Sequence, residues 1–139
     1  MELSIHSPLP TRLDWRIGCI GSGFIMNDCH LIAYGKAGFN PVAIASRTQA
    51  NAAKCAGQHD IPTVHNSIEQ LLDDESIEGL DLAVPPDNQL EIIQAACARG
   101  TAKGILAQKP LGANYTEAVA AVEACEQAGI VLAVNQNMR

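Results

Sequence analysis

A lysine that closes an apolar run, Lys109 in ILAQKPLG (105–112), has the position of a residue that acts on a substrate. Pro110 restricts Lys109 to extended backbone and fixes the exit of the chain. An ammonium group at a strand end can bond the alkoxide that develops when a hydroxyl carbon loses hydride. The stretch therefore predicts either a lysine aimed at a substrate hydroxyl or an ordinary exposed lysine in a turn.

A glycine pair, Gly21 and Gly23 in IGSGFIM, follows the first apolar run and precedes a stretch with helical periodicity. In a dinucleotide fingerprint the first glycine permits the tight turn, and the second lets the pyrophosphate approach the backbone. The helix N-terminus, from about Phe24, supplies free N–H groups and a positive dipole end. Met26 holds the third fingerprint position instead of Gly or Ala. The pattern predicts dinucleotide binding, with a purely structural turn as the alternative.

The end of the second apolar run, ASRT (45–48), bears on which dinucleotide binds. NAD-specific sheets carry Asp or Glu there to bond the ribose 2′-OH, and this chain has no acid at that point. Arg47 can pair with a 2′-phosphate and stack on adenine, with Ser46 beside it. We therefore expect NADP as the cofactor, with NAD possible, against the alternative that Arg47 is a solvated surface residue.

Strands and helices must hold these residues in place. Along the whole chain, short apolar runs alternate with stretches of helical periodicity. Such alternation predicts βαβ units and a doubly wound parallel (Rossmann) α/β sheet of about six strands, with helices on both faces. Residues 1–15 form a polar, proline-broken tail, and 16–139 form the domain. The predicted strands are 16–20, 41–46, 61–65, 79–85, 102–107 and 130–136.

Caps and periodicity predict where the helices begin and which faces they bury. Ser67 with Gln70 and Asn114 with Glu117 have the spacing of N-terminal capping boxes. Apolar residues at helical spacing predict buried faces in the first and last helices: Ile25, Cys29, Ile32 and Ala33 in the first, and Ala118, Val122 and Cys125 in the last.

Composition excludes several classes of function. The chain has 139 residues, 47% of them hydrophobic, and a net charge of −6, which argues against nucleic-acid binding. No apolar run approaches the roughly 20 residues that span a bilayer, and the N-terminus lacks the order of a signal peptide. The five cysteines have no CxxC spacing and are expected to be buried thiols in a reducing cytoplasm. The four histidines show no ligand spacing, so no metal is expected.

Four motifs together, IGCIGSGF, ASR, AVPPDNQ and AQKPLG, resemble the glucose–fructose oxidoreductase, inositol dehydrogenase and rhizopine-catabolism (Gfo/Idh/MocA) family over roughly residues 15–139. VNQNMR is also similar to that family's segment after strand six. The resemblance implies a nicotinamide-dependent oxidoreductase acting on sugars or polyols. It also implies a C-terminal α/β domain, absent from this chain, with most of the substrate pocket, the catalytic His and Asp and usually the oligomer interface.

The resemblance assigns roles to residues of this chain. Lys109 matches the lysine of the family's Glu-Lys-Pro motif, near the nicotinamide and the substrate hydroxyl, and is the candidate catalytic residue. Gln108 replaces the usual Glu and Gln89 the usual His, and both retain hydrogen-bonding groups. Gln136 and Arg139 either line the crevice or begin an interdomain connection. The resemblance further implies that the pyrophosphate is bound by Gly21, Gly23, Phe24 and Ile25, and the adenosine ribose by Ser46 and Arg47. It implies that the nicotinamide side of the crevice is lined by Pro85, Pro86 and Asn88.

The leading hypothesis is therefore an NADP(H)-dependent oxidoreductase that transfers hydride to or from a sugar or polyol carbon. A non-catalytic nucleotide-binding module, such as a sensor or partner subunit, is the alternative that Gln89 and Gln108 favour. A structural scaffold is a third reading. A small-molecule substrate is the expected partner, without nucleic acid or membrane, and a homo-oligomer is expected only in a full-length protein.

Overall fold

The computed structural model describes residues 10–136, whose strands form one sheet. The strands are β1 (Ile17–Ile20), β2 (Ala43–Ala45), β3 (Thr63–Val64), β4 (Gly79–Leu82), β5 (Gly104–Gln108) and β6 (Val131–Asn135). The helices are α1 (Ile25–His30 and Leu31–Ala37), α2 (Gln49–His59), α3 (Ile68–Leu72), α4 (Pro86–Arg99) and α5 (Tyr115–Ala128). Across residues 10–136, no helix is both long and apolar enough to cross a membrane.

The six strands are parallel and lie in the order β3-β2-β1-β4-β5-β6. The chain starts in the middle of the sheet, builds outward to one edge, and returns to build the other half. This is the doubly wound Rossmann order, so the predicted fold class is confirmed.

Each face of the sheet has its own hydrophobic core, because strands covered on both sides bury residues of both alternations. All four residues of β1 are buried. One face packs against α1 and α2, through Met26, Leu31, Ala52, Cys55 and Ala56 among others. The other face packs against α3, α4 and α5, through Leu71, Leu72, Ile93, Ala96, Ala121 and Cys125 among others.

The predicted buried face of α1 is wrong by about one residue. Ile25 and Ile32 are 39% and 44% exposed, and Cys29 and Ala33 are also exposed. The residues that α1 buries are Met26, His30 and Leu31. Its first segment, Ile25–His30, is wound as a π-helix, which closes hydrogen bonds over five residues instead of four. The predicted pair Ile25 and Cys29 and the buried pair Met26 and His30 are both four residues apart, so the spacing by itself did not select the buried face.

Two further details differ from the sequence-based expectation. In α5, Val122 is 40% exposed and Ala121 takes the buried position beside Cys125. Strand β4 ends at Leu82, three residues earlier than expected, because Pro85 precedes α4 as its N-cap and Pro86 is its first residue.

Both predicted N-caps are present, and the side chains of Gln70 and Glu117 accept from the N–H of the residue before each cap, Asn66 and Ala113. The Ser67 hydroxyl accepts from the Gln70 N–H at 3.2 Å, and the Asn114 side-chain oxygen accepts from the Glu117 N–H at 3.0 Å. These caps satisfy free N–H groups at the starts of α3 and α5. They also fix where the loops after β3 and β5 turn back into helices.

Candidate functional site

The principal cleft lies where the winding of the sheet reverses, between the carboxyl ends of β1 and β4. The chain leaves β1 toward α1 on one face and leaves β4 toward α4 on the other, so a crevice opens between the two loops. Its volume is about 680 Å³. Two backbone bonds of 2.9 Å hold its base, from the Gly21 N–H to the Ala45 carbonyl and from the Ala83 N–H to the Ile20 carbonyl.

The two glycines of the turn after β1 have different physical roles. Gly21 has φ +106°, and a Cβ there would lie 2.4 Å from the carbonyl oxygen of Ala83, so only glycine fits. A Cβ at Gly23 would meet nothing within 4 Å. Gly21 therefore shapes the turn, while Gly23 leaves its backbone open to a ligand in the cleft. Phe24 and Ile25, which follow, are 71% and 39% exposed.

The turn after β1 is tied to the end of β2 by a hydrogen bond that sequence reasoning missed. The Ser22 hydroxyl donates to the Ser46 hydroxyl at 2.9 Å. Arg47 and Thr48 come next, are exposed, and line the same cleft. Thr48 is the N-cap of α2 but makes no side-chain capping bond, so the first N–H groups of that helix are not capped by its hydroxyl. Hydroxyl groups and a guanidinium thus converge at this end of the cleft.

The far end of the cleft is built from residues with no sequence motif. Apolar side chains of α3 and α4 form its floor, and Glu69 stands at its rim. The pKa of Glu69 is lowered by its own backbone N–H and by the Ser67 hydroxyl. A flat apolar ring fits such a floor. The apolar residues of this floor are Ile68, Leu72, Ile92 and Ala95.

The loop after β4 forms the opposite lip of the cleft. Pro85 and Asn88 line it, and the Asn88 N–H donates to the Pro85 carbonyl at 3.0 Å. Pro86 is half-buried as the first residue of α4 and is not among the lining residues. Two consecutive prolines keep this lip rigid, since each fixes its own φ.

Gln89 is fully buried and holds the turn that carries Lys109. Its amide oxygen accepts from the Gln108 N–H at 2.8 Å, and its amide nitrogen donates to the carbonyls of Gln108 at 2.9 Å and Pro110 at 2.7 Å. Pairing of β4 with β5 ends at Leu106, so no strand satisfies Gln108 on that side. The side-chain amide of Gln89 replaces the missing strand, and its polar atoms are turned away from the cleft.

Lys109 is exposed at the end of β5, and its backbone N–H donates to its neighbour's side-chain oxygen, Gln108 Oε1, at 2.9 Å. The Lys109–Pro110 peptide is cis. Lys109 and Gln136 do not line the cleft, and the Gln136 N–H donates to the Val134 carbonyl at 2.8 Å. Arg139 lies outside the described residues.

Beneath this turn lies a buried polar cluster that sequence reasoning also missed, centred on His30 and Asp81. Asp81 is 1% exposed and accepts from the His30 ring at 2.9 Å and from the Tyr34 hydroxyl at 2.8 Å. Burial raises the pKa of Tyr34, and the bond to Asp81 raises the pKa of His30. A single acid inside the apolar run GLDLAV was the available signal, because a buried carboxylate requires partners.

The model of one family, described as an oxidoreductase family with an NAD-binding Rossmann fold (Gfo/Idh/MocA), matches residues 15–136. The chain belongs to the Gfo/Idh/MocA family. The matched residues form the NAD-binding Rossmann domain of that family.

Some of the proteins that the chain is similar to are named as sugar dehydrogenases. The chain is 38% identical over 90 residues to D-xylose 1-dehydrogenase (NADP(+)) 2 of Haloferax volcanii, covering 65% of this chain and 27% of that protein. A crystal structure of an NAD-binding oxidoreductase from Klebsiella pneumoniae has a TM-score of 0.79 at 28% identity. Levoglucosan dehydrogenase, in complex with NADH and levoglucosan, has a TM-score of 0.78 at 28% identity. Each of these structures covers 87% of this chain, which spans 34% of theirs.

Within the family fold, nine of the predicted site residues fall into two groups, whereas Phe24, Ile25, Pro86 and Gln136 do not line the cleft and Arg139 lies outside the described residues. The cleft brings together the glycine turn, the end of β2 and the lip after β4: Gly21, Gly23, Ser46, Arg47, Pro85 and Asn88. Lys109, Gln108 and Gln89 lie on the neighbouring turn after β5, where Gln89 and Gln108 are buried and only Lys109 is exposed. Ser22, Thr48 and Asn51 line the cleft without having been predicted.

Proposed function

We propose that this chain is the cofactor-binding domain of an NADP(H)-dependent oxidoreductase that transfers hydride to or from a hydroxyl carbon of a sugar or polyol. The observation that carries the NADP preference is the end of β2, where Ser46 and Arg47 line the cleft. A carboxylate at this point bonds the ribose 2′-OH of NAD, whereas a guanidinium pairs with a 2′-phosphate. The NADP(+)-dependent name of the Haloferax relative supports the same preference.

The residues of the cleft fit the pyrophosphate and the adenine of a dinucleotide. Open space at Gly23 suits a pyrophosphate, and the apolar floor at Leu72 and Ile92 suits an adenine ring. When bound, the cofactor supplies the carbon that accepts or donates hydride. The role of this chain is to bind the cofactor and to orient its nicotinamide ring, so that one face of the ring lies toward the substrate.

We assign Lys109 to the substrate side of that cofactor. Lys109 is exposed, forms no salt bridge with residues 10–136, and follows β5 at the carboxyl edge of the sheet. Its ammonium is free to bond a substrate hydroxyl and to stabilise the oxygen as the proton leaves. Gln89 and Gln108 act on this lysine through the backbone, as positioning residues.

The matched region makes up about a third of each compared structure. We propose that a second domain supplies the facing wall of the substrate pocket and any homo-oligomer interface. We also propose a cytoplasmic location, because all five cysteines are free thiols.

A non-catalytic nucleotide-binding module is the second candidate. Gln108 and Gln89, which stand where the family resemblance expects Glu and His, have their amides committed to the protein. Neither amide can exchange a proton with a substrate at neutral pH. Both candidates require dinucleotide binding, so they are separated by turnover in a protein that also carries the proposed second domain.

Thermal unfolding of the chain with and without NADPH tests binding. A ligand at 100 times its dissociation constant stabilises the native state by about 2.7 kcal/mol, which raises the Tm by several degrees. If neither NADPH nor NADH changes the Tm, the chain binds neither dinucleotide, and only the hypothesis of a structural scaffold remains. We expect the chain by itself to bind NADPH without oxidising a sugar such as D-xylose, and measurable turnover would show that no second domain is needed.

A further inference from the structure

Five polar side chains from four elements meet under the turn after β5. His30 and Tyr34 come from α1, Asp81 from β4, Gln108 from β5 and Asn135 from β6. His30 is 8% exposed and is the only member that contacts three of the others. The imidazole therefore links the helix after the glycine turn to the two strand ends beside Lys109.

The hydrogen-bond partner of one ring nitrogen shows which nitrogen of His30 carries the hydrogen. Nδ1 lies 3.0 Å and 2.9 Å from the two carboxylate oxygens of Asp81, so Nδ1 carries the hydrogen and donates. In the neutral ring the lone pair is then on Nε2. Two amide nitrogens face that lone pair, Asn135 Nδ2 at 2.9 Å and Gln108 Nε2 at 3.3 Å.

The orientation of the Gln108 amide is fixed independently of the histidine. Gln108 Oε1 accepts from the backbone N–H of Lys109 at 2.9 Å, and an N–H can only donate. The Gln108 nitrogen is therefore the atom that faces His30, and it can only donate. A neutral ring satisfies this arrangement, while a second proton on the ring would place an N–H against two N–H₂ groups.

A second proton on the His30 ring, at Nε2, therefore competes with the Lys109 N–H for the side-chain oxygen of Gln108. To accept from an Nε2–H, Gln108 must turn its oxygen toward the ring and release the Lys109 N–H, or Asn135 must turn alone. The bond to Asp81 raises the pKa of His30 and burial acts in the opposite direction. The other titratable groups facing this pair are Tyr34 and Cys19, whose pKa values burial raises, so both stay uncharged.

We infer that His30 is a positioning residue whose neutral Nδ1–H tautomer holds the Gln108 amide, and through it the Lys109 backbone, in place at the edge of the cleft. The bearing of this inference on catalysis rests on the proposed function of Lys109, whereas the coupling of the ring to the Lys109 amide does not. Where Gln108 is the amide that turns its oxygen toward the protonated ring, protonation of His30 releases the Lys109 N–H from Gln108. Glutamine at 108 suits a neutral ring, and a carboxylate there would suit an imidazolium.

Nitrogen-15 NMR of the labelled full chain tests the coupling without cofactor. Long-range correlations give the tautomer and titration of His30 between about pH 5 and pH 9, and the Lys109 amide is followed in the same spectra. We expect the neutral ring to carry its hydrogen on Nδ1 and the Lys109 amide shift to titrate with the ring. In Gln108→Glu, the ring titration should rise by about one pH unit or more, since an opposite charge then faces Nε2.

Two variants separate coupling from a general effect on the fold. His30→Gln keeps polar groups but does not titrate, so the pH dependence of the Lys109 amide should disappear. Gln94→Glu adds the same charge on the exposed face of α4 and should leave both titrations unmoved. A neutral ring with its hydrogen on Nε2, a Lys109 amide that ignores the ring, or an unshifted Gln108→Glu would each overturn the inference. NADPH titration of the same samples tests the proposed function separately.

Discussion

Replacing Gln89 by methionine tests the clamp that holds the turn after β5. Methionine has a similar volume and no amide, so it removes three hydrogen bonds of 2.7–2.9 Å without opening a large cavity. The Gln108 N–H and carbonyl, both buried, lose their partner. The half-buried Pro110 carbonyl can turn to water.

The size of the effect follows from those two orphaned groups. Each unsatisfied buried group costs about 1–3 kcal/mol, so Gln89→Met should lower the free energy of unfolding by about 3 kcal/mol. For a domain of this size, that corresponds to a fall in Tm of about 10 °C. Lys109, whose backbone lies between the clamped Gln108 and Pro110 carbonyls, should also lose its defined position.

Urea denaturation with linear extrapolation measures this loss. Gln94→Met on the exposed face of α4 is the matched control and should change the unfolding free energy by less than about 0.5 kcal/mol. If Gln89→Met unfolds within that same margin of the parent chain, with an unchanged slope, the turn does not depend on Gln89. The positioning role assigned to this residue would then be incorrect.

Other substitutions test the glycine turn and the acid stability of the domain. Gly21→Ala should destabilise the fold by about 2 kcal/mol or more, because φ is +106° and the Cβ meets the Ala83 carbonyl. Gly23→Ala should leave the urea midpoint unchanged and weaken NADPH binding by about tenfold or more, measured by fluorescence titration. Glu78, bonded to Arg12 and Lys103, has its pKa lowered from 4.5 to about 2. The stability that ionised Glu78 contributes is present above pH 4.5 and is lost as the pH falls toward 2. Glu78→Gln should therefore reduce the loss of unfolding free energy between pH 4.5 and pH 2, measured by urea denaturation. An unchanged pH dependence of the unfolding free energy over that range would contradict this.

Patterns within short stretches of sequence were sufficient to predict the strands and the starts of two helices. Alternating apolar runs and glycine positions predicted the six strands, and the Ser67 and Asn114 capping boxes predicted two helix starts. The glycine pair was placed correctly between β1 and α1, at the cleft. Each of these signals lies within a few consecutive residues, which is why sequence alone sufficed.

The parts that sequence missed depend on groups brought together from distant positions. Gln89 meets Gln108 across 19 positions only because β4 stops short of the end of β5. His30 was not assigned to the buried face, because a histidine is buried there only through its bond to Asp81, 51 positions away. Its contact with Asn135 spans 105 positions and follows from the order of the strands.

The proposed function depends above all on whether the cleft prefers a 2′-phosphate. Titration of the full chain with NADPH and NADH, repeated in Arg47→Ala and in the matched control Lys36→Ala, measures this preference. We predict tighter binding of NADPH, a loss of roughly tenfold to a hundredfold in Arg47→Ala for NADPH alone, and no change in Lys36→Ala. Equal affinity for the two cofactors, unchanged in Arg47→Ala, would contradict the proposed NADP preference.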